Sequence, residues 1–201
     1  MTDFSSVSAR LTEKGYAVSC FATAKEASSY LNTVMDHRTI GFGGSVTLQQ
    51  MGLCESLRAH NTVYWHWSTE GKPAGEVRAL ASSAEIYLTS VNGLSETGEI
   101  VQIDGTGNRV ASMLYGHQKV YLIAGRNKLA PTLDDAVSRA RNVAAPLNAK
   151  RLGVKTPCAE KGDRCYDCHC SDRICRALVT LWDKPSSMPI EVVLIDEELG
   201  Y

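Results

Sequence analysis

Short β-prone runs alternate with stretches of helical periodicity along most of this chain, and that alternation restricts the possible folds more than any other feature. Phe4, Val7 and Leu11 recur at three- and four-residue intervals, as do Ala27, Tyr30, Leu31 and Val34, which predicts helices over 4–15 and 24–35. Gly15 closes the first, and Thr23 with Glu26 has the S/T-x-x-E form of a capping box at the head of the second. Between them Tyr16–Phe21 is β-prone. Further strands are expected at 39–42, 62–67, 84–91 and 119–124, and further helices at 46–57, 73–82 and 132–145, the last stopping before Pro146. A strand followed by a helix, repeated, builds an α/β fold: a mainly parallel sheet with helices on both faces. Glu99–Asp104 with the Gly-rich turn after it departs from the rhythm and predicts an inserted β-hairpin. Beyond Pro146 a Cys-rich appendage fills 151–176, followed by a strand pair around 177–182 and 190–195. A chain of 201 residues supports one core, so 1–201 is expected to be a single domain with 151–176 as part of it.

Charge excludes some functions. Lys and Arg number 21 against 22 Asp and Glu, so no global basic field draws the chain to nucleic acid or an anionic membrane. The N-terminus has neither a basic n-region nor an apolar h-region, and no run approaches the roughly 18 apolar residues of a spanning helix, which predicts a cytoplasmic protein.

Two regions carry the pattern of a ligand site. Gly41-Phe-Gly-Gly-Ser-Val-Thr joins a strand to a helix, leaving backbone N–H groups unpaired at the helix N-terminus, where the dipole favours an anion. Gly43 and Gly44 would take positive φ to approach it, with Ser45 and Thr47 donating or capping; the alternative is a tight turn that binds nothing. Around the hairpin, Asn92, Glu96, Asp104, Gly105, Gly107, Asn108 and Arg109 cluster at turns, with Glu96 and Asp104 the candidate acid and base. A carboxylate abstracts a proton next to a carbonyl only where burial raises its pKa, and plain turn chemistry is the alternative. Asn127 and Lys128 follow a buried strand and suit an anion. His66 and His117 are expected to be structural, with His66 on the strand face opposite Trp65 and Trp67.

Five of the seven cysteines fall within 158–175. Cys165-x2-Cys168 turns two sulfurs to one point, and Cys158 and Cys175 complete four thiolates, suited to tetrahedral zinc or an iron–sulfur cluster, with Cys170 the spare. Packing of buried thiols and redox disulfide chemistry are the competing readings.

Taken together, Gly41–Thr47, Val91–Ile100, Asp104–Ala111, Gly125–Lys128 and Ala144–Leu152 resemble the LUD-domain, or lactate-utilisation, family. The resemblance implies the NagB/RpiA/CoA-transferase-like fold and an anion held at the Gly-rich loop, and it names no reaction. Two functional readings follow. One is an enzyme or subunit acting on a small anionic metabolite in organic-acid oxidation. The other is a non-catalytic accessory protein whose cysteine segment docks on a redox partner. Self-association into a homo-oligomer is compatible with both.

Overall fold

The computed structural model describes residues 2–201. Its first half follows the alternation: α1 (Ser5–Glu13), β1 (Ala17–Phe21), α2 (Ala24–Val34), β2 (Thr39–Phe42), α3 (Val46–Gln50), α4 (Leu53–Arg58), β3 (Thr62–Trp65), α5 (Ala74–Ser82) and β4 (Ile86–Ser90). Then come β5 (Gly93–Ser95), β6 (Ile100–Asp104), α6 (Asn108–Leu114), β7 (Lys119–Gly125), β8 (Leu129–Ala130), α7 (Leu133–Arg139), α8 (Ala145–Leu152), α9 (Pro157–Lys161), β9 (Ala177–Leu181) and β10 (Ile190–Ile195). Thr23 caps α2 with the expected box, its hydroxyl accepting from the Glu26 N–H while the Glu26 carboxylate accepts from the Thr23 N–H.

Six strands form a sheet in the order β1-β10-β7-β4-β2-β3, every pair parallel. Alternate residues of β7 leave on opposite faces. Val120, Leu122 and Ala124 pack with Leu11 of α1, Ala81 of α5 and Met113 of α6, while Tyr121 and Ile123 pack with Leu31 of α2, Leu48 of α3 and Leu57 of α4. Helices therefore cover both faces, and β10, between β1 and β7, is buried along its whole length. The polar exception there, Glu191, is only 3% exposed. Its carboxylate accepts from Lys119 Nζ, Tyr30 Oη and Ser19 Oγ, each at 2.7 Å. Burial pushes its pKa up, but these donors win and hold it below the usual value.

A hairpin is present as β5 and β6, but its turn lies before β6, at 96–99, while the Gly-rich turn after Asp104 leads into α6; and it is not inserted in the parallel sheet but founds a second one, β8-β5-β6-β9, seated on α7. This separates the two strands expected to pair at the end of the chain: β9 runs antiparallel to β6, whereas β10 lies between β1 and β7. Three boundaries also move. The helix expected over 46–57 breaks at Gly52, which sits at φ +61°, into α3 and α4. The strand expected over 62–67 ends at Trp65, where Ser68 N–H turns back to the Trp65 carbonyl. Pro146 does not stop the helix. A π-helical turn at Ala140–Ala144 widens the coil just ahead of the ring, which would otherwise crowd the carbonyl four residues back, and α8 continues to a left-handed Gly153. Among the described residues no helix is long and apolar enough to cross a membrane.

Gly41 lies in β2 beneath the end of α5, where a Cβ would run into the Ala81 carbonyl oxygen and stand 2.9 Å from the Tyr87 ring. Gly41→Ala should therefore cost about 1–3 kcal/mol in urea denaturation at unchanged slope. A variant as stable as the parent would mean that α5 can lift from the sheet freely.

Candidate anion-binding cleft

Strand order reverses between β2 and β4: β3 lies outside β2 on one side, and β7 and β10 continue from β4 on the other. Such a reversal leaves a crevice at the strand C-termini. Here it is a cleft of about 500 Å³ lined by Gly44–Thr47 after β2, Ser90–Asn92 after β4 and Lys128 after β7.

The glycine loop is built for close packing. Gly43 N–H donates to the Leu88 carbonyl at 2.9 Å, its own carbonyl accepts from Trp65 Nε1 at 3.2 Å, and a Cβ would stand 2.7 Å from Thr89 Oγ1. A Cβ on Gly44 would press on the His66 and Trp67 rings at 3.2 Å. Neither glycine has positive φ, so the expectation of a left-handed turn is corrected: what these positions need is the missing side chain. Ser45 caps α3, its Oγ accepting from Leu48 N–H at 3.3 Å, and Thr47 Oγ1 is 3.2 Å from both Ser90 Oγ and the Leu199 carbonyl. Ser45 and Thr47 line the cleft, whereas Gly41 and Gly43 support it from within the sheet.

Six cations face this space: Arg78, Arg109, Lys128, Arg151, Arg173 and Arg176, with no Asp or Glu among the lining residues. Arg109 is held by donation to the Ile103 carbonyl at 2.6 Å and by the Asp104 carboxylate at 3.7 Å. Arg151 stacks over Trp67, 4.5 Å from the ring centroid, and donates to Asn148 Oδ1 and Tyr201 Oη at 3.1 and 2.9 Å. Lys128, 2% exposed, donates to the main-chain oxygen of Tyr201. Burial, reinforced by the neighbouring Arg139, pushes its amine down to about 7. His66 is driven down to about 4, first by burial and then by Arg78 and Arg109. His66 Nδ1 and Arg78 Nε are buried without a partner.

Asp104, only 4% exposed, lies behind this surface. It accepts from the N–H groups of Thr106, Arg109 and Val110 at 3.2, 2.9 and 3.3 Å, closing the start of α6. Burial pushes its pKa up, but Arg109 and the backbone donors outweigh it and hold the carboxyl ionised below its usual range. The raised pKa that a general base requires is thus reversed here. Glu96 is exposed at the hairpin tip and does not line the cleft. Asn92, Gly105, Asn108, Arg109 and Lys128 do line it, Gly107 supplies a left-handed turn at φ +90° before α6, and Asn127 instead ties down the tail through Leu199 and Gly200. His117 is structural, stacked on Tyr87 and bonded to the Ala84 carbonyl at 2.7 Å. His66 and Trp67 both reach the cleft, because β3 ends at Trp65 and the expected alternation ends with it. Arg78, Arg151, Arg173 and Arg176 were not expected in the site; they come from a helix face, a helix end and the cysteine segment, and local sequence carries no signal that joins them.

Gly105 has the Ile174 carbonyl 2.5 Å from where a Cβ would stand, and Arg176 N–H donates to the Asp104 carbonyl at 2.9 Å, so the cysteine segment forms one wall of the cleft. Among the described residues no three His, Cys, Asp or Glu side chains stand close enough to hold a metal as they are placed.

A family model described as LUD domain matches residues 5–195. Among solved structures, a DUF162 family protein from Deinococcus radiodurans is 15% identical, covers 94% of each chain and has a TM-score of 0.55. Ribose 5-phosphate isomerase A from Neisseria gonorrhoeae is 17% identical over 55% of this chain and 52% of its own, with a TM-score of 0.34. No curated protein matches the chain.

Asp104→Asn keeps the shape and removes the charge, so it tests whether the carboxylate anchors α6 and Arg109. The expected loss is about 1.5–3 kcal/mol at pH 7, measured by denaturation. Because the folded pKa is depressed, the contribution is present above the unfolded carboxylate pKa and lost as pH falls through the folded value, so parent and variant should converge in acid. Equal stability at pH 7 would remove Asp104 from this role.

Proposed function

The chain belongs to the LUD-domain family, and from that premise we propose that this lactate-utilisation-type protein binds a small organic anion carrying two or more negative charges, such as a phosphorylated acid, in the cleft. The observation that carries the reading is the six cations lining one space without a carboxylate among them. Two like charges about 6 Å apart at an effective dielectric of about 20 repel by about 3 kcal/mol, so such a surface is relieved by a multivalent anion more than by a single carboxylate. The volume of about 500 Å³ suits a metabolite larger than a three-carbon acid. Arg109 supplies a planar donor fork, and Arg151 is held flat on Trp67. The proton-transfer role expected of Glu96 and Asp104 passes in this reading to Lys128, whose amine is moved to neutral pH at the cleft floor. The accessory-protein reading draws on a different observation. No side chain from Pro157 to Thr180 is buried, so the cysteine segment offers a surface to a redox partner.

Anion binding is tested by thermal unfolding: inorganic phosphate or a phosphorylated acid at 100 times its dissociation constant should stabilise the protein by about 2.7 kcal/mol. Arg109→Gln should lose most of that shift. No shift with any anion at millimolar concentration would end the reading.

The second expected outcome is a pair of opposed pH slopes. Below about 7 Lys128 is charged in both folded and unfolded chains; between about 7 and 10.5 only the unfolded chain keeps the proton, so stability without ligand rises with pH across that window. Anion affinity should fall across the same window as the charge is lost. Lys128→Met should flatten both slopes, and an affinity slope that survives the substitution would assign the titration elsewhere.

A further inference from the structure

Residues 162–176 contain neither helix nor strand, and no side chain between Pro157 and Thr180 is buried. A segment of this length without a core of its own does not hold one conformation through apolar packing. Yet its shape matters, since Arg173 and Arg176 reach the cleft from it. Cys158, Cys165, Cys168 and Cys175 all line one small space of about 10 Å³ against the start of α8, and Cys170 does not. The four come from α9, the two ends of the CxxC turn and the approach to β9, so only the folded segment brings them to one space, where no three of them stand close enough to hold a metal until their side chains turn. The space is about that of one water-sized sphere.

The surroundings suit thiolate sulfur. Asp167 N–H donates to Cys165 Sγ at 3.3 Å, Arg141 stands 3.9 Å from the same sulfur, and Thr156 Oγ1 is 3.3 Å from Cys158 Sγ. Arg173 bridges the carbonyls of Cys168 and Cys175 at 2.8 and 3.0 Å, tying the CxxC turn to the approach to β9. Asp167, inside the CxxC turn, takes a left-handed φ of +47° with no buried packing to account for it.

We propose that Cys158, Cys165, Cys168 and Cys175 are the four thiolate ligands of one structural metal centre, which fastens the cysteine segment to α8. The sulfurs close in by side-chain rotation to about 2.3 Å from a single zinc ion, which is of the size the space admits whereas a multi-iron cluster is not, and each thiol proton passes to solvent as its sulfur takes the metal. Cys170, although its sulfur lies 3.6 Å from that of Cys168, stays outside the set.

The test uses the full chain purified without oxygen, with no anion added, so its result does not depend on what the cleft binds. Metal and sulfide analysis should give about one zinc per chain, without iron and matching sulfide. Cys→Ser at each of the four positions should lower metal content about tenfold or more, while Cys170→Ser keeps it. Removing the metal with a chelator should speed hydrogen exchange over 155–176 before the six-stranded sheet responds. Should single variants fail to fold, a thiol reagent on the native parent still decides: four protected thiols, released by chelator, are expected. Protein without zinc, with all four thiols reacting as fast as in denaturant, overturns the centre, and iron with matching sulfide in place of zinc overturns its single-ion form. Loss of metal in Cys170→Ser equal to that in the other variants overturns the assignment of ligands.

Discussion

The Asp104 carboxylate joins three parts of the molecule that are otherwise separate. It ends β6 of the second sheet, accepts the first free N–H groups of α6, and stands beside the Arg109 guanidinium that faces the cleft. Its own carbonyl receives Arg176 N–H from the cysteine segment. A buried ion is costly unless its partners are fully arranged, and here Thr106, Arg109 and Arg176 are also pieces of the cleft wall. The site therefore has a geometry only if the second sheet, α6 and the cysteine segment are assembled around this one group.

The cations fit the same logic. Lys128 follows the end of β7, Arg78, Arg109 and Arg151 are on helices, and Arg173 and Arg176 are on the segment that closes the rim. No one stretch of chain concentrates positive charge, and the net charge of −1 conceals the accumulation. Carboxylates are turned to other tasks: Glu191 into the sheet, Glu99 to Lys14 at 3.0 Å, Asp104 behind the wall. The result is a local field far stronger than the composition suggests.

Much of the fold is legible because it rests on local periodicity: the capping box at Thr23 and most of the β-prone runs and amphipathic helices appear where periodicity puts them, apart from the boundaries at Gly52, Trp65 and Pro146. What was not legible depends on tertiary choices. Nothing in Ala177–Leu181 or Ile190–Ile195 says that one joins a second sheet and the other enters the middle of the first. Pro146 reads as a stop because the π turn that accommodates it has no sequence mark. In the site, the strand-to-helix loop and Asn108–Arg109 were found through turn chemistry. In the sequence Glu96 and Asp104 look alike as acid or base, because a carboxylate's surroundings are tertiary: one is exposed at a hairpin tip and the other is ringed by donors.

The contact between Gly105 and the Ile174 carbonyl makes the cleft as durable as the segment that supplies its outer wall. Regions with few buried contacts open at low free energy, well below that of global unfolding. Each opening withdraws Arg173 and Arg176 together, and a ligand that needs them binds only the closed fraction, its apparent dissociation constant divided by that fraction. A segment closed one tenth of the time would weaken binding about tenfold with every residue of the sheet in place. Affinity in this protein is thereby coupled to the local order of a stretch that contributes almost nothing to the core.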